Sequence, residues 1–176
     1  LQTIVSRKLN PSLNGVVSVT EFITDGKRNV LPGSAILKGD ARALSTEVNE
    51  TIEARIRQIV AGISSAHGVK TEVQYDTLFP SVINTSTPVI AAHRAASKIV
   101  GHKEVNNECD PNLFSEDFAH MAATKPGCFV LMGNGIQGVN AKPLHSSDYD
   151  FNDEALSYGS SFWVQLVEQE LSRSIE

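Results

Sequence analysis

One amphipathic helix with well-marked ends constrains the fold of this chain more than any other feature. Between Ser45 and Gly68, apolar residues recur every three or four positions, which places their side chains on one face of a helix. Ser45 or Thr46 is a suitable N-cap, and glycine commonly ends helices. A helix with one apolar face must pack against another element of the fold. That face comprises Val48, Ile52, Ile56, Ile59, Val60 and Ile63.

The segments around this helix have the patterns of strands. Residues 16–23 are rich in β-branched side chains. Within residues 34–44, Ala35, Leu37 and Gly39 alternate with Ile36 and Lys38, which also indicates a strand. Residues 69–75 alternate apolar with polar, which is typical of a strand with one face in water. Residues 1–9 have helical spacing. The order helix, strand, strand, helix, strand predicts a ferredoxin-like unit, an antiparallel sheet with two helices, without its first strand.

A second domain is predicted to begin at Phe79-Pro80. Helical patterns cover residues 88–100, 115–124 and 154–171, and residues 128–132 have the composition of a buried strand. Residues 134–150 are irregular. This mixture indicates part of an α/β layer. The sequence therefore predicts an α/β (α+β) chain with one domain at residues 1–78 and another at residues 79–176.

Composition argues against several classes of partner. The net charge is -5 and Lys and Arg do not cluster, so we expect no nucleic-acid binding. No apolar run approaches the roughly 20 residues of a membrane span. Cys109 and Cys128 form no Cys-x-x-Cys pair, and we interpret them as free thiols of a reducing, cytoplasmic compartment. A nucleophilic role for either thiol is the alternative, although neither has a histidine nearby in the sequence.

His145 differs from the other four histidines of the chain. It lies in an irregular loop after a predicted strand, a position where α/β folds place ligands. Both a metal-binding role and a structural role are open for it. The remaining histidines lie on or beside predicted helices and form no compact ligand cluster, so we expect structural roles for them. They are His67, His93, His102 and His120.

Glu116 and Asp117 lie together at a predicted helix start. Acidic residues there complement the helix dipole, which is the default interpretation. Paired carboxylates can also hold a metal or act as acid and base. Neighbouring residues on a helix point about 100° apart, however, so the two would rarely share one ion.

Arg42 lies in a predicted strand of otherwise small and apolar residues. A guanidinium on a rigid strand can hold a carboxylate by two hydrogen bonds, and a salt bridge to Asp40 is the alternative. Asn29 lies in the loop that precedes Val30-Leu31-Pro32.

Short segments along the whole chain resemble the hippurate hydrolase, aminoacylase and indole-acetyl-amino-acid hydrolase family of metallopeptidases. Each motif alone is weak, but together they occur in the order and at the separations of the family. The segments are Leu1–Arg7, Arg28–Pro32, Leu37–Arg42, Ser115–Ala119, Pro143–His145 and Tyr149–Leu156.

This resemblance implies a two-domain enzyme that cleaves N-acyl amino acids or small peptides with two divalent metals, zinc or manganese. It also implies a ferredoxin-like lid through which the enzyme forms a homodimer. By similarity, His145 matches the last metal ligand of the family. Asn29 and Arg42 match lid residues that contact the substrate, with Arg42 binding its free carboxylate. Glu116 matches an acidic residue near the active site.

Other parts of the family's active site have no counterpart in these 176 residues. The missing parts are the earlier metal ligands, the glutamate pair that supplies the general base, and the lid histidine that stabilises the oxyanion. We therefore expect part of an amidohydrolase that hydrolyses negligibly alone. The alternative is a non-catalytic module that associates with itself through the lid sheet. Gly33 stands where an acidic or polar residue is common in the family, and no functional conclusion follows from that difference.

Overall fold

Two compact units make up the chain in a computed structural model that describes residues 1–171, apart from the Val139 side chain. The first unit contains Leu1–Ser81 and Pro111–Ala119, and the second contains Val82–Asp110 and the described residues from His120 onward. The sequence did not indicate that residues 111–119 belong with the first unit. The boundary between residues 78 and 79 stays a prediction.

In the first unit, two helices pack on a two-stranded antiparallel sheet, and these four predicted elements are confirmed. They are α1 (Thr3–Lys8), β1 (Gly15–Thr24), β2 (Ala35–Ala43) and α2 (Thr46–His67). The Val48 backbone N–H donates to Ser45 Oγ at 3.3 Å, and Gly68 ends α2 with φ 65°. The apolar face of α2 packs against the sheet, because Val48 and Ile52 of α2 share one buried core with Val17 of β1. The buried core consists of Ile4, Val17, Val48 and Ile52.

A β-bulge interrupts the pairing of β1 with β2. Val19 opposes Gly39, and the next pair is Glu21 with Lys38, so Thr20 is the extra residue. Residues that oppose each other have their side chains on the same face of the sheet, and successive residues of a strand point to opposite faces.

The strand predicted at residues 69–75 is wrong for the part of the chain that the structure describes. Val73 and Tyr75 are half-buried with exposed residues between and beside them, as the alternation indicated, but the segment joins no ladder. The sheet that the structure describes consists of β1 and β2 alone, and residues 69–75 pair with neither strand. Side chains of α2 hold the segment instead. Arg57 Nη1 donates to the Val73 carbonyl at 2.9 Å.

The second unit is helical, and its two long helices are confirmed. They are α3 (Ser86–Val100) and α5 (Ala155–Leu171), which pack against each other. The helix expected over residues 115–124 is shorter, α4 (Phe118–Ala122), of which Phe118 and Ala119 belong to the first unit. Two 3-10 turns cover His102–Glu104 and Gly138–Ala141. With the sheet of the first unit, these helices confirm the α/β class.

The buried strand predicted at residues 128–132 is also wrong within the described chain. Val130, Leu131 and Met132 are exposed, and the segment joins no ladder. A strand buried on both faces requires neighbouring strands, and the described residues of this unit supply none. The Asn84 side chain binds the backbone there. Its Oδ1 accepts from the Phe129 N–H at 2.8 Å, and its Nδ2 donates to the Phe129 carbonyl at 3.0 Å.

None of the helices within residues 1–171 is both long enough and apolar enough to span a membrane.

Candidate functional site

Arg42 lies on the face of the sheet opposite the core residue Val17. Its Nε donates to Asp40 Oδ2 at 2.6 Å, and its Nη1 donates to the Leu113 carbonyl at 2.6 Å. The salt bridge left open as the alternative is therefore formed. The side chain remains 45% exposed, and Nη2 has no protein partner among the described residues. One edge of the guanidinium is thus available, and its substrate role stays a prediction.

Asn29 lies at the exposed tip of a tight turn between β1 and β2. The turn is closed by two backbone hydrogen bonds of 3.0 Å between Lys27 and Val30. Asp25 fixes the return of the chain, because its Oδ1 accepts from the backbone N–H groups of Gly33 at 2.9 Å and Ser34 at 3.2 Å. The Ser34 backbone hydrogen bond is the main cause that lowers the pKa of the Asp25 carboxyl.

Glu116 belongs to the same unit as Arg42. The carbonyl that Arg42 binds is that of Leu113, three residues before Glu116. Glu116 is half-buried, and its Oε1 accepts a long hydrogen bond of 3.4 Å from the Phe118 backbone N–H at the start of α4. This contact fits the default interpretation of an acidic residue at a helix start.

His145 is exposed in an irregular loop of the second unit. Its backbone lies in the left-handed region with φ 68°, a conformation that few residues other than glycine adopt. The imidazole has no hydrogen-bond partner among the described residues. The ring is therefore not committed to a structural contact within that part of the chain.

The predicted site residues are divided between the two units. Asn29, Arg42 and Glu116 lie in the first unit, and His145 lies in the second. Nowhere within residues 1–171 do three His, Cys, Asp or Glu side chains converge as a metal would require. The metal role of His145 therefore stays a prediction.

Two other histidines contact each other. The rings of His93 and His102 meet edge to face at 5.0 Å, and His102 Nδ1 lies 3.4 Å from Ser97 Oγ. These contacts fit the structural roles expected for both.

Cys128 lines an apolar groove between α3 and α5, together with Ala92 and Trp163. Burial raises the pKa of its thiol. Because the thiolate is the nucleophile, this environment argues against the alternative that Cys128 is a nucleophile.

Asn134 is a residue that the sequence patterns did not single out. Its Nδ2 donates to the carbonyls of Asn140 at 3.1 Å and Asp150 at 2.8 Å, and its Oδ1 accepts from the Asn152 N–H at 2.8 Å. The available signal was an asparagine between two glycines, which indicates a turn but not these distant partners.

Comparison with known proteins identifies the family. The family model described as peptidase family M20/M25/M40 matches residues 8–169. Hippurate hydrolase of Campylobacter jejuni is 30% identical over 167 residues, which are 95% of this chain and 43% of that protein. N-acetylcysteine deacetylase of Bacillus subtilis is 32% identical over 168 residues, with 95% of this chain and 42% of that protein covered. The chain thus spans about two fifths of the length of these relatives.

A solved structure agrees with the sequence match. The crystal structure of the Bacillus subtilis YXEP protein, described as a dinuclear metal binding peptidase from the M20 family, superimposes with a TM-score of 0.74. It is 30% identical in sequence, and the match covers 87% of this chain and 41% of that one. The family model matches far more than half of the chain, and the fold agrees with it. The chain therefore belongs to peptidase family M20/M25/M40.

Proposed function

We propose that this chain contributes substrate-binding side chains and one metal-binding imidazole to a metal-dependent hydrolase of N-acyl amino acids. The observation that carries the proposal is the family match across residues 8–169. The two curated relatives described above are named for hippurate, which is an N-benzoyl amino acid, and for N-acetylcysteine. Both compounds have an amide bond next to a free carboxylate.

Arg42 is the side chain proposed to recognise that carboxylate. An arginine can bind a carboxylate through two parallel hydrogen bonds, and Nη2 is free of protein partners within residues 1–171. Asp40 occupies Nε at present, so a substrate must use the Nη2 edge or displace Asp40. Asn29 is proposed to contact a substrate from the turn between the two strands, which is at the end of the hairpin away from Arg42.

His145 is the proposed metal ligand, with zinc or manganese as the metal. A neutral imidazole suits zinc, and the exposed ring has no competing hydrogen bond within the described chain. A second metal ligand and a general base must come from outside the residues described above. We therefore expect purified 176-residue protein to show no turnover of N-benzoylglycine with added zinc or manganese. Measurable turnover would contradict this part of the proposal.

Arg57 provides a matched control for a test of Arg42. Arg57 also binds one carboxylate, Glu53, and one backbone carbonyl, and it is 47% exposed against 45% for Arg42. Its two partners lie in the same unit, and it has no predicted role in substrate binding.

The test follows the side-chain Nε–H signals of both arginines by NMR as N-benzoylglycine is added. We expect the Arg42 signal to shift while the Arg57 signal stays in place, and we expect no shift with N-benzoylglycinamide, which lacks the carboxylate. The shift should be lost in Arg42→Lys, because an ammonium cannot offer the same planar pair of donors. Equal shifts at both arginines would indicate general anion binding and would reject the clamp.

Self-association through the hairpin is the second candidate function. At the end of the hairpin, Phe22 opposes Leu37 on one face of the sheet and Ile23 opposes Ile36 on the other, and all four side chains are at least 43% exposed. Exposed apolar side chains favour association with another chain, as do the two edges of the sheet, which pair with no further strand within residues 1–171. We propose a homodimer formed through the face of the hairpin that carries Phe22 and Leu37.

Sedimentation equilibrium tests the dimer, with Phe22→Lys as the disrupting variant and Leu156→Lys on α5 as the control at a similarly exposed apolar position. We expect Phe22→Lys to be monomeric and Leu156→Lys to remain dimeric. A chain that dimerises in this way but shows no Arg42 response to N-benzoylglycine would favour the non-catalytic module.

A further inference from the structure

A loop of residues 135–151 carries His145, and the side chain of Asn134 closes that loop at its base. The two Nδ2 hydrogen bonds reach the carbonyls of Asn140 and Asp150, at 3.1 Å and 2.8 Å. Oδ1 accepts the N–H of Asn152 at 2.8 Å, just beyond the other end of the loop. One half-buried amide therefore joins the start of the loop to its end.

The backbone next to Asn134 is closely packed against the same part of the loop. Gly135 has φ 146°, which side-chain-bearing residues rarely adopt, and a Cβ added there would lie 2.9 Å from Asn140 Cβ. The chain thus approaches residue 140 more closely than a larger residue would permit. This close approach brings the Asn140 carbonyl within reach of the Asn134 amide.

An ion pair closes a smaller ring within the loop. Lys142 Nζ lies 2.7 Å from Asp148 Oδ2, and Ser146 Oγ donates to Asp148 Oδ1. These groups lie on both sides of His145 in the chain. Both partners of the ion pair are about half exposed, so water weakens the interaction. The less exposed amide of Asn134 is the firmer of the two closures.

His145 itself depends on the backbone for its position. Its ring has no hydrogen-bond partner among the described residues, and its φ of 68° places it in a sparsely populated conformation that the surrounding loop must maintain. Loosening the loop would release that conformation and move the ring.

We propose that Asn134 is the positioning residue for His145. Within the described residues Asn134 makes no hydrogen bond to the imidazole, and it fixes the backbone that carries the ring. The purpose of this positioning, presentation of a metal ligand, rests on the function proposed above. The positioning itself does not.

Asn84 offers a matched control for the test. It is also an asparagine of the second unit, and its amide also binds backbone groups, the N–H and carbonyl of Phe129. These partners lie outside residues 135–151. A general loosening of the unit should therefore follow from Asn84→Ala as well as from Asn134→Ala, whereas a positioning effect should follow from Asn134→Ala alone.

The first measurement is hydrogen exchange at the amides of Ser146 and Tyr149, which donate to the carbonyls of Pro143 and Ser146. We expect Asn134→Ala to raise their exchange rates about tenfold and to shift the His145 ring signal, while amides of α3 and α5 keep their rates. Asn84→Ala should leave the loop amides within about twofold. Unchanged loop amides and ring signal in Asn134→Ala, or equal changes in Asn84→Ala, would overturn the inference.

Asn134→Asp is the second variant, used in case Asn134→Ala does not fold. The carboxylate keeps the acceptor for Asn152 but loses both donated hydrogen bonds. We expect faster exchange at Ser146 and Tyr149 with the Asn152 amide still protected. Protection of all three amides as in the unmodified chain would overturn the inference.

The last measurement separates this inference from the proposed function. Zn²⁺ alone is added, and the ring signals of His145 and of the exposed His67 are compared. If His145 responds in the unmodified chain and responds several-fold less in Asn134→Ala, while His67 is unaffected, both proposals are supported. If His145 never responds but its loop still loosens in Asn134→Ala, the metal role fails and the positioning role stands. If His145 responds to zinc, and responds equally in the unmodified chain and in Asn134→Ala, the positioning role is rejected.

Discussion

The Tyr75 hydroxyl donates a hydrogen bond of 2.6 Å to Asn49 Oδ1 on α2, and this contact anchors a segment that joins no sheet. Asn49 Nδ2 in turn donates to Thr77 Oγ1 at 3.0 Å. The asparagine thus binds the segment at two points.

We expect Tyr75→Phe to lower the free energy of unfolding by about 1 kcal/mol, because a half-buried acceptor on Asn49 loses its partner. Urea unfolding at neutral pH measures this change. Tyr158→Phe is the control, because Tyr158 is 52% exposed on α5 and its hydroxyl has no partner among the described residues. An equal effect of the two substitutions would contradict the anchoring role.

The same tyrosine should make stability depend on alkaline pH. Burial is the first cause that raises its pKa above 10.0, and the negative charges of Glu53 and Asp40 raise it further. The unfolded chain then releases this proton at a lower pH than the folded chain does. Stability from this group is full below pH 10.0 and is lost as the pH rises through the folded pKa. The loss should be smaller in Tyr75→Phe when urea unfolding is compared at pH values on both sides of 10.0.

Gly39 is predicted to be the least replaceable glycine of the hairpin. An added Cβ would lie far inside van der Waals contact with the Ser18 carbonyl oxygen on β1, and backbone atoms cannot yield as a flexible side chain can. We expect Gly39→Ala to cost about 2–3 kcal/mol in urea unfolding. Gly62→Ala, on α2 with open space around it, should instead stabilise by up to about 1 kcal/mol. A neutral Gly39→Ala would show that the strands do not approach so closely.

Asp25 gives a prediction at acidic pH. The backbone N–H of Ser34, with that of Gly33, favours the charged carboxylate and lowers its pKa below 3.8. The stabilisation is present above pH 3.8 and is lost as the pH falls through the folded pKa. NMR titration of the Gly33 and Ser34 amide signals should show a midpoint below 3.8 that disappears in Asp25→Asn. A midpoint at or above 3.8 would indicate that these hydrogen bonds do not persist in solution.

A chimera tests Arg42 in catalysis. The present chain replaces the matching part of Campylobacter jejuni hippurate hydrolase, and that part makes up 43% of the length of the hydrolase. Arg42→Ala should lower kcat/KM for N-benzoylglycine by about 30- to 1,000-fold, equivalent to roughly 2–4 kcal/mol of transition-state binding. Arg57→Ala should change it less than about threefold. Unchanged kinetics in Arg42→Ala would remove the clamp assignment.

Local chemistry explains which elements could be predicted from the sequence. The Ser45 cap, the apolar face and Gly68 act within the helix itself, so α2 was found with its ends. The strands at residues 69–75 and 128–132 have suitable compositions but join no ladder in the described chain. A strand depends on a neighbour as well as on its own residues.

The same difference between local signals and contacts with distant residues applies to the candidate site. His145 stood out because of its loop, and Arg42 because a charged residue is unusual in such a strand. Asn134 was missed because its partners lie six to eighteen residues away and depend on the path of the loop. The contact of Arg42 with Leu113 spans 71 residues and was equally invisible in the sequence.

The bulge at Thr20 makes the hairpin tolerant of a change in chain length. Val19 opposes Gly39 and Glu21 opposes Lys38, so the partner strand has no residue that corresponds to Thr20. Removal of Thr20 would restore regular pairing and leave Phe22 opposite Leu37 on its present face. Homologues that differ by one residue here can therefore keep the same hairpin surface, and their alignment should allow a gap at this position.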